Sequence, residues 1–246
     1  MRIENPKGGY AFLKGIAPYS AGAVAARGFE IVHVTLRPAR PLSAGFEAVA
    51  AHLDRARRPR HALCAIELRS PRPFTFQGFS DFNAGYVGIL KKWDILADGL
   101  NPVARTNVAP EIDPPGEPSM YGFCYAAPAE AGAPTFIVAG AGELPEGSLD
   151  PHDVVRRGET SPDAVAEKAR FVMGLMTERL RGLGVGWEHA THIDVYTVHD
   201  FSALMPTTLL KPMGKAAHCG ITWHYSRPPI VSIEFEMDVR GCRREL

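Results

Sequence analysis

Residues 14–36 read KGIAPYSAGAVAARGFEIVHVTL. The stretch divides into an approach loop, the tetrad Ala17-Pro18-Tyr19-Ser20, a turn at Arg27-Gly28 and an apolar strand over 30–36. Pro18 fixes its own φ and pushes Ala17 toward extended geometry. Tyr19 is therefore expected at a set position beside the strand. Residues 37–42 are Pro-rich and read as loop or edge. Ser43 is expected to N-cap a helix running to about residue 57, with Phe46, Val49, Ala50 and Leu53 on one face. A second strand covers 61–69. Residues 70–79, SPRPFTFQGF, read as an aromatic loop. A second helix over 82–96 places Phe82, Tyr86, Ile89, Leu90 and Trp93 on one side. Strands follow at 103–108 and 120–126.

Residues 127–134, APAEAGAP, read as a linker. After it the order of elements begins again. A strand covers 135–140 and a turn 141–144. Ser161-Pro162-Asp163 supplies an N-cap, a Pro at the first helical position and an early carboxylate. That helix is expected to reach Arg181, closed by Gly182 and Gly184. In the strand over 192–199, Ile193, Val195 and Thr197 alternate with Asp194, Tyr196 and Val198. Strands at 220–224 and 230–239 complete the chain. Two halves sharing an order of elements predict an internal duplication, with domains over 1–128 and 134–246.

The totals narrow the function. The 246 residues carry 27 basic and 27 acidic side chains, so no net charge favours nucleic acid. No apolar run is long enough to span a bilayer, and the first residues hold no apolar signal-peptide core. Cys64, Cys124, Cys219 and Cys242 form no CxxC pair, so reduced thiols in a cytoplasmic protein are expected. His189, His192, His199, His218 and His224 invite a metal reading, but their spacing matches no zinc pattern. No nucleotide fingerprint is present either, so neither metal nor cofactor is expected.

Several motifs together resemble the RidA/YjgF/YER057c/UK114 family of enamine and imine deaminases. They are the Ala17–Ser20 opening, Phe82-Asn83-Ala84-Gly85-Tyr86, Ala104-Arg105-Thr106-Asn107-Val108, and the segment ERLRGLGVGWEHATHIDVYTVHD ending at Asp200. The resemblance implies an α+β fold of two tandem RidA-like (chorismate-mutase-like) domains, each a mixed β-sheet with two helices on one face. It also implies a homotrimer with pockets at domain or subunit interfaces.

It further implies a site. An Arg grips the substrate carboxylate, an N-terminal aromatic residue lines the pocket, and a Glu on the last strand handles water. A guanidinium holds a carboxylate bidentately, and a carboxyl group can move the protons that hydrolysis needs. The first half keeps Tyr19 and Arg105 but has Met120 or Tyr121 where the Glu belongs. The second half has His218 near the Arg position, and the run Ser232-Ile233-Glu234-Phe235-Glu236 in its last strand. Alternation puts Ser232, Glu234 and Glu236 on one face. The candidate catalytic residues are thus Glu234, Glu143 and Tyr19. The candidate substrate contacts are Arg105, His218, Tyr121 and Asn107.

Structural readings stay open beside these. Arg105 would serve equally as half of a salt bridge, Tyr19 as packing, and Glu234 with Glu236 as a solvated strand face. The expected function is hydrolytic deamination of a small enamine or imine carboxylate, of 2-aminoacrylate or aminomuconate type. The alternatives are a chorismatase-like hydrolase and a non-catalytic protein that binds small carboxylates or only assembles.

Overall fold

In the hairpin of β1 (Arg2–Asn5) and β2 (Tyr10–Leu13), the side chains of YAFL alternate as a strand requires. Ala11 and Leu13 join one apolar cluster, and Tyr10 and Phe12 join another. The same division runs through the whole molecule and defines its layers. The computed structural model describes residues 1–130 and 132–246. Two mixed sheets lie face to face, with helices on their outer sides.

The first sheet has seven strands, in the order β1, β2, β3 (Gly22–Ala25), β8 (Phe136–Gly142), β12 (Glu236–Gly241), β9 (His192–Tyr196) and β10 (Thr222–His224). The second has six, in the order β11 (Ser226–Arg227), β6 (Ala104–Pro110), β5 (Leu63–Arg69), β7 (Ser119–Pro128), β4 (Phe29–Pro41) and β13 (Arg244–Glu245). Neighbours are antiparallel except β9 with β10, β5 with β6, and β4 with β13.

Helices α1 (Leu42–Arg55) and α2 (Phe76–Lys92) cover the outer face of the six-stranded sheet. Phe46, Val49, Leu53, Tyr86 and Leu90 pack there on Ile66, Leu68 and Phe123. Helix α3 (Pro162–Leu183) covers the seven-stranded sheet, with Val165, Val172, Met176 and Leu180 against Phe136, Val195 and Met237. A run of short helical turns over 202–219 adds Leu209, Met213 and Ala216 to that layer. Each fully buried aliphatic side chain of this kind contributes roughly 1.5–3 kcal/mol. Between the sheets many residues are small, Ala23, Ala65, Ala104, Ala126 and Ala139 with Cys64, Cys124 and Cys242, beside the larger Tyr10, Phe12, Ile31 and Ile137. All four cysteines are free thiols.

Several boundaries differ from the sequence expectation. Helix α1 begins at Leu42 behind Pro41 with no side-chain cap, so Ser43 lies inside its first turn, and residues 37–41 extend β4. Helix α2 begins six residues early because Thr75 Oγ1 accepts the Gly78 amide at 3.0 Å, turning the expected aromatic loop into a first helical turn. The last long strand starts only at Glu236. Before it, Ser232 takes a left-handed φ of 72° and Ile233 N–H donates to Ile230 O in a turn. Strict alternation across 230–236 therefore fails.

The expected cut between 128 and 134 does not separate the sheets. Strands β1 to β3, from the first 25 residues, sit in the sheet of the second half, while β11 and β13 sit in the sheet of the first. Within the expected linker, Ala131 lies outside the described residues.

Candidate functional site

The tetrad at 17–20 is pinned to the start of β6. Asn101 Nδ2 donates to Pro18 O at 2.6 Å, Ser20 N–H donates to Val103 O at 3.0 Å, and Ser20 Oγ donates to Pro102 O at 3.0 Å. These bonds set Tyr19 over Arg105, with the guanidinium carbon 4.6 Å from the ring centroid. Tyr86, Phe79 and Phe82 of α2 complete an aromatic box at 4.8, 5.3 and 5.6 Å. Arg105 is 2% exposed, yet neither Nη1 nor Nη2 has a hydrogen-bond partner among the described residues. The salt-bridge reading of Arg105 therefore has no acidic partner there. Burial lowers the pKa of this guanidinium, opposed by Tyr19, Tyr86 and Glu236. It stays charged, because arginine does not lose its proton in proteins.

Arg105 lines a cavity of about 70 Å³ together with Tyr19, Asn107, Arg179 and Glu236. Asn107 Oδ1 accepts from Ser70 Oγ at 2.9 Å, and its buried Nδ2 has no partner among the described residues. Unsatisfied buried donors are costly and call for an acceptor. Glu236 is the buried acid of this cavity. It opens β12 and turns inward, because Phe235 and Met237 on either side belong to the α3 layer. Burial pushes its carboxyl well above the usual range. Asp238, the next inward residue on the strand, pushes the same way, against Arg179 and Arg105.

The floor below is knit across the sheets. Thr106 Oγ1 donates to Asp238 Oδ2 at 2.7 Å and accepts from Gly140 N–H at 3.1 Å, and Tyr196 OH donates to the same Asp238 oxygen. A Cβ at Gly140 would lie 2.3 Å from Glu236 Oε1, so this carboxyl rests where only glycine leaves room.

Other expected site residues lie elsewhere. Glu143 is fully buried under α3. It accepts from Lys168 Nζ at 2.9 Å and from the amides of Glu234 and Phe235 at 2.7 and 3.1 Å. It thus holds the chain just before Glu236 and does not line the cavity. Because the strand is broken before 236, Glu234 is also directed away from the cavity and pairs with His199 at 2.8 Å. His218 is exposed in the helical turns over 214–219, away from the cavity, because the chain leaves the sheet there.

Tyr121 faces a second, larger cavity of about 620 Å³, where its ring stacks on Arg69 at 4.0 Å. The acids of that cavity are already paired: His33 with Glu67 at 2.8 Å, His224 with Asp194 at 2.8 Å, and Arg240 with Asp194 at 2.7 Å. Burial acts to lower the His33 pKa, but Glu67 and Glu245 overcome it and raise it to about 10. Among the described residues no group of three or more His, Cys, Asp or Glu side chains is arranged to hold a metal ion, and no helix is long and apolar enough to cross a membrane.

Sequence reasoning paired Glu236 with Glu234 and preferred Glu234. The available signal was the apolar pair Phe235 and Met237, which fixes Glu236 inward once the strand starts at 236. Arg179 was missed altogether, because α3 was read for its apolar face.

The Lys168–Glu143 pair has a direct test. Both side chains are fully buried, and removing one partner of such a pair costs about 3–5 kcal/mol. Lys168→Met is expected to lower unfolding free energy by that amount in urea titration. A variant as stable as the parent would show that the two backbone amides alone satisfy Glu143.

A buried guanidinium and an amide donor, both unpartnered among the described residues, stand with a protonatable acid around one cleft and describe an α+β protein suited to holding a small carboxylate. The chain belongs to the 2-aminomuconate deaminase CnbZ family, whose model matches residues 2–246. A 2-amino-5-chloromuconate deaminase from Comamonas testosteroni is 44% identical over 241 residues, covering 97% of this chain and 95% of that one. Among solved structures, a chorismatase is similar over 90% of this chain and 77% of its own, at 13% identity and a TM-score of 0.46. A putative endoribonuclease from Thermotoga maritima is similar over 55% of this chain and 92% of its own, at 14% identity and a TM-score of 0.35.

Proposed function

We propose that this protein hydrolyses the C–N bond of a 2-aminomuconate-type enamine, releasing ammonia and leaving a 2-oxo acid. The carrying observation is the Arg105 guanidinium, buried with both terminal nitrogens unpartnered among the described residues, in the cavity that holds Glu236. Family membership and the 44% identical relative support the same substrate class. No observation favours the chorismatase-like alternative over it.

The chemistry follows from the geometry. Arg105 takes the carboxylate next to the amino-bearing carbon and orients that carbon in the cleft. Glu236, protonated by its burial, gives its proton to the enamine carbon, forming an iminium. The resulting carboxylate then removes a proton from water as its oxygen adds to the iminium carbon. The same carboxyl returns that proton to nitrogen, and as the C–N bond breaks and ammonia leaves, the resulting carboxylate takes the hydroxyl proton, so the carbonyl forms and Glu236 is protonated again. One water is consumed and one ammonia released per turnover. The Tyr19 phenol, its pKa raised by burial although Arg105 acts against this, stays protonated as a wall and hydrogen-bond donor. Asn107 Nδ2 is a further donor to the bound carboxylate.

The test is to supply 2-aminomuconate to purified protein and measure ammonia against loss of substrate absorbance. One ammonia per substrate consumed is expected, and none above the uncatalysed rate would defeat the reading. Gly140→Ala tests the seat of Glu236. Displacement of a reacting group by about 1 Å costs on the order of 100-fold in rate. A loss of that size in kcat is expected, and an unchanged kcat would remove Gly140 from the account.

The two halves are further read as RidA-like units that assemble as a homotrimer with the site at an interface. Two sheets, each with helices on its outer face, support this reading. A mass measurement giving a monomer would contradict the trimer.

A further inference from the structure

We propose that Arg179 receives the second carboxylate of a dicarboxylate substrate, and that Glu146 occupies its place until substrate arrives. The inference rests on reading the cavity as an aminomuconate site. Arg179 projects from α3 into the cavity that Arg105 lines. Its side chain is 9% exposed, and its Nε and Nη2 edge donates to Glu146 Oε2 and Oε1 at 2.8 and 3.1 Å. That two-point geometry is how a guanidinium holds any carboxylate. The opposite nitrogen, Nη1, donates to Ala139 O at 2.9 Å. The guanidinium is thus anchored to the backbone of β8 and keeps its direction when Glu146 leaves.

Glu146 is held differently. Its side chain is 41% exposed. It sits in a surface turn, where Ser148 N–H donates to Pro145 O and Gly147 takes a φ of 84°. Among the described residues its carboxylate has no hydrogen-bond partner besides Arg179. The whole turn, Leu144 through Leu149, walls the cavity.

Volume argues the same way. A cavity of about 70 Å³ takes a few waters, whereas clefts that bind small molecules run to roughly 300–1,000 Å³. A six-carbon dicarboxylate needs more room, and moving the Glu146 turn outward supplies it beside Arg179. The exchange is isoelectric, since one carboxylate replaces another and no cation is left bare. A monocarboxylate cannot make that exchange, so it gains nothing from displacing Glu146. The pair therefore selects for two carboxylates.

The experiment uses two unreactive probes, muconate and its one-carboxylate counterpart sorbate, titrated calorimetrically into the full-length protein. The parent is expected to bind muconate several-fold more tightly than sorbate, less than a whole charge-assisted pair would give, because the Glu146 pair is given up in exchange. Arg179→Gln should abolish that preference while leaving sorbate unchanged. Glu146→Gln, a change on an exposed turn that does not endanger folding, should tighten muconate several-fold and leave sorbate unchanged. Equal binding of the two probes by the parent, equal weakening of both in Arg179→Gln, or weaker muconate binding in Glu146→Gln would overturn the proposal. Arg105→Gln separates the two levels. If it weakens both probes while Arg179→Gln affects neither, the site stands and the role of Arg179 falls. If it weakens neither, the reading of the site falls, and the proposal with it.

Discussion

Glu236→Gln should cost two to four orders of magnitude in kcat and at the same time stabilise the protein. The rate loss is the usual size for removing a general acid, about 10²–10⁴-fold. Glutamine keeps the shape that Gly140 accommodates but has no proton to give to carbon or nitrogen. The stability gain comes from linkage. Burial, with Asp238 beside it, raises the folded-state carboxyl well above its ordinary 4.5. As pH rises past that ordinary value, the unfolded chain releases a proton that the folded chain keeps. The folded state then binds more protons, so stability falls with rising pH until the folded carboxyl ionises. Glutamine removes this contribution. The variant's advantage in unfolding free energy should be near zero below about pH 4 and grow toward neutral and alkaline pH. Asp238 is also raised, by burial and by Asp194 and Glu67, and stays in place, so the slope becomes shallower without vanishing. In the parent, kcat should fall on the alkaline side as the Glu236 carboxyl ionises. Urea titrations of both proteins at several pH values, with pH–rate profiles of ammonia release, provide the check. A variant of parental activity would end the role of Glu236. A variant less stable at every pH would show that its carboxyl makes a structural contact.

Glu236 was harder to read in the sequence than Arg105, because the chain before it leaves strand geometry at Ser232. The layers were legible because apolar residues alternate where a strand has one face on helices and one on its partner sheet. HIDVY at 192–196 shows it, and the three long helices follow their apolar faces. Position 105 was legible through the family resemblance, carried by Ala104-Arg105-Thr106-Asn107-Val108. Glu234 and Glu236 have the same spacing, but the run before 236 leaves strand geometry at Ser232, with its left-handed φ. Nothing in the residues Ile230 to Phe235 signals that turn, because β-branched and aromatic residues favour strands. The sharing of strands between halves was hidden for another reason. Where β1 to β3 add to a sheet depends on partners more than a hundred residues away, and local pattern carries no record of them. The tie between Arg179 and Glu146 is likewise a contact between a helix and a turn well separated in sequence.

Arg105→Gln is the second large effect, and it discriminates between two accounts of a buried arginine. If Arg105 were half of a structural ion pair, its removal would strand an acid and cost about 3–5 kcal/mol of stability. The structure offers no such acid: the guanidinium is boxed by Tyr19, Phe79, Phe82 and Tyr86, and its terminal nitrogens are empty among the described residues. Against the loss of cation–π contacts, each worth about 0.5–2 kcal/mol, stands relief from burying an unpaired charge, which costs several kcal/mol. The two nearly cancel, so the melting temperature should stay within a few degrees of the parent or rise. Activity should not cancel. Two charge-assisted bonds to the substrate carboxylate, each worth about 1.5–3 kcal/mol, correspond to a loss of roughly 10²–10⁴-fold in kcat/KM. Because the same carboxylate aligns the carbon that water attacks, kcat should fall along with binding. Arg105→Lys should recover little, since an ammonium lacks the planar fork and cannot spread across the aromatic box in the same way. A stable, folded Arg105→Gln that turns over 2-aminomuconate at the parental rate would remove the anchor. A destabilised but active variant would return Arg105 to a purely structural role.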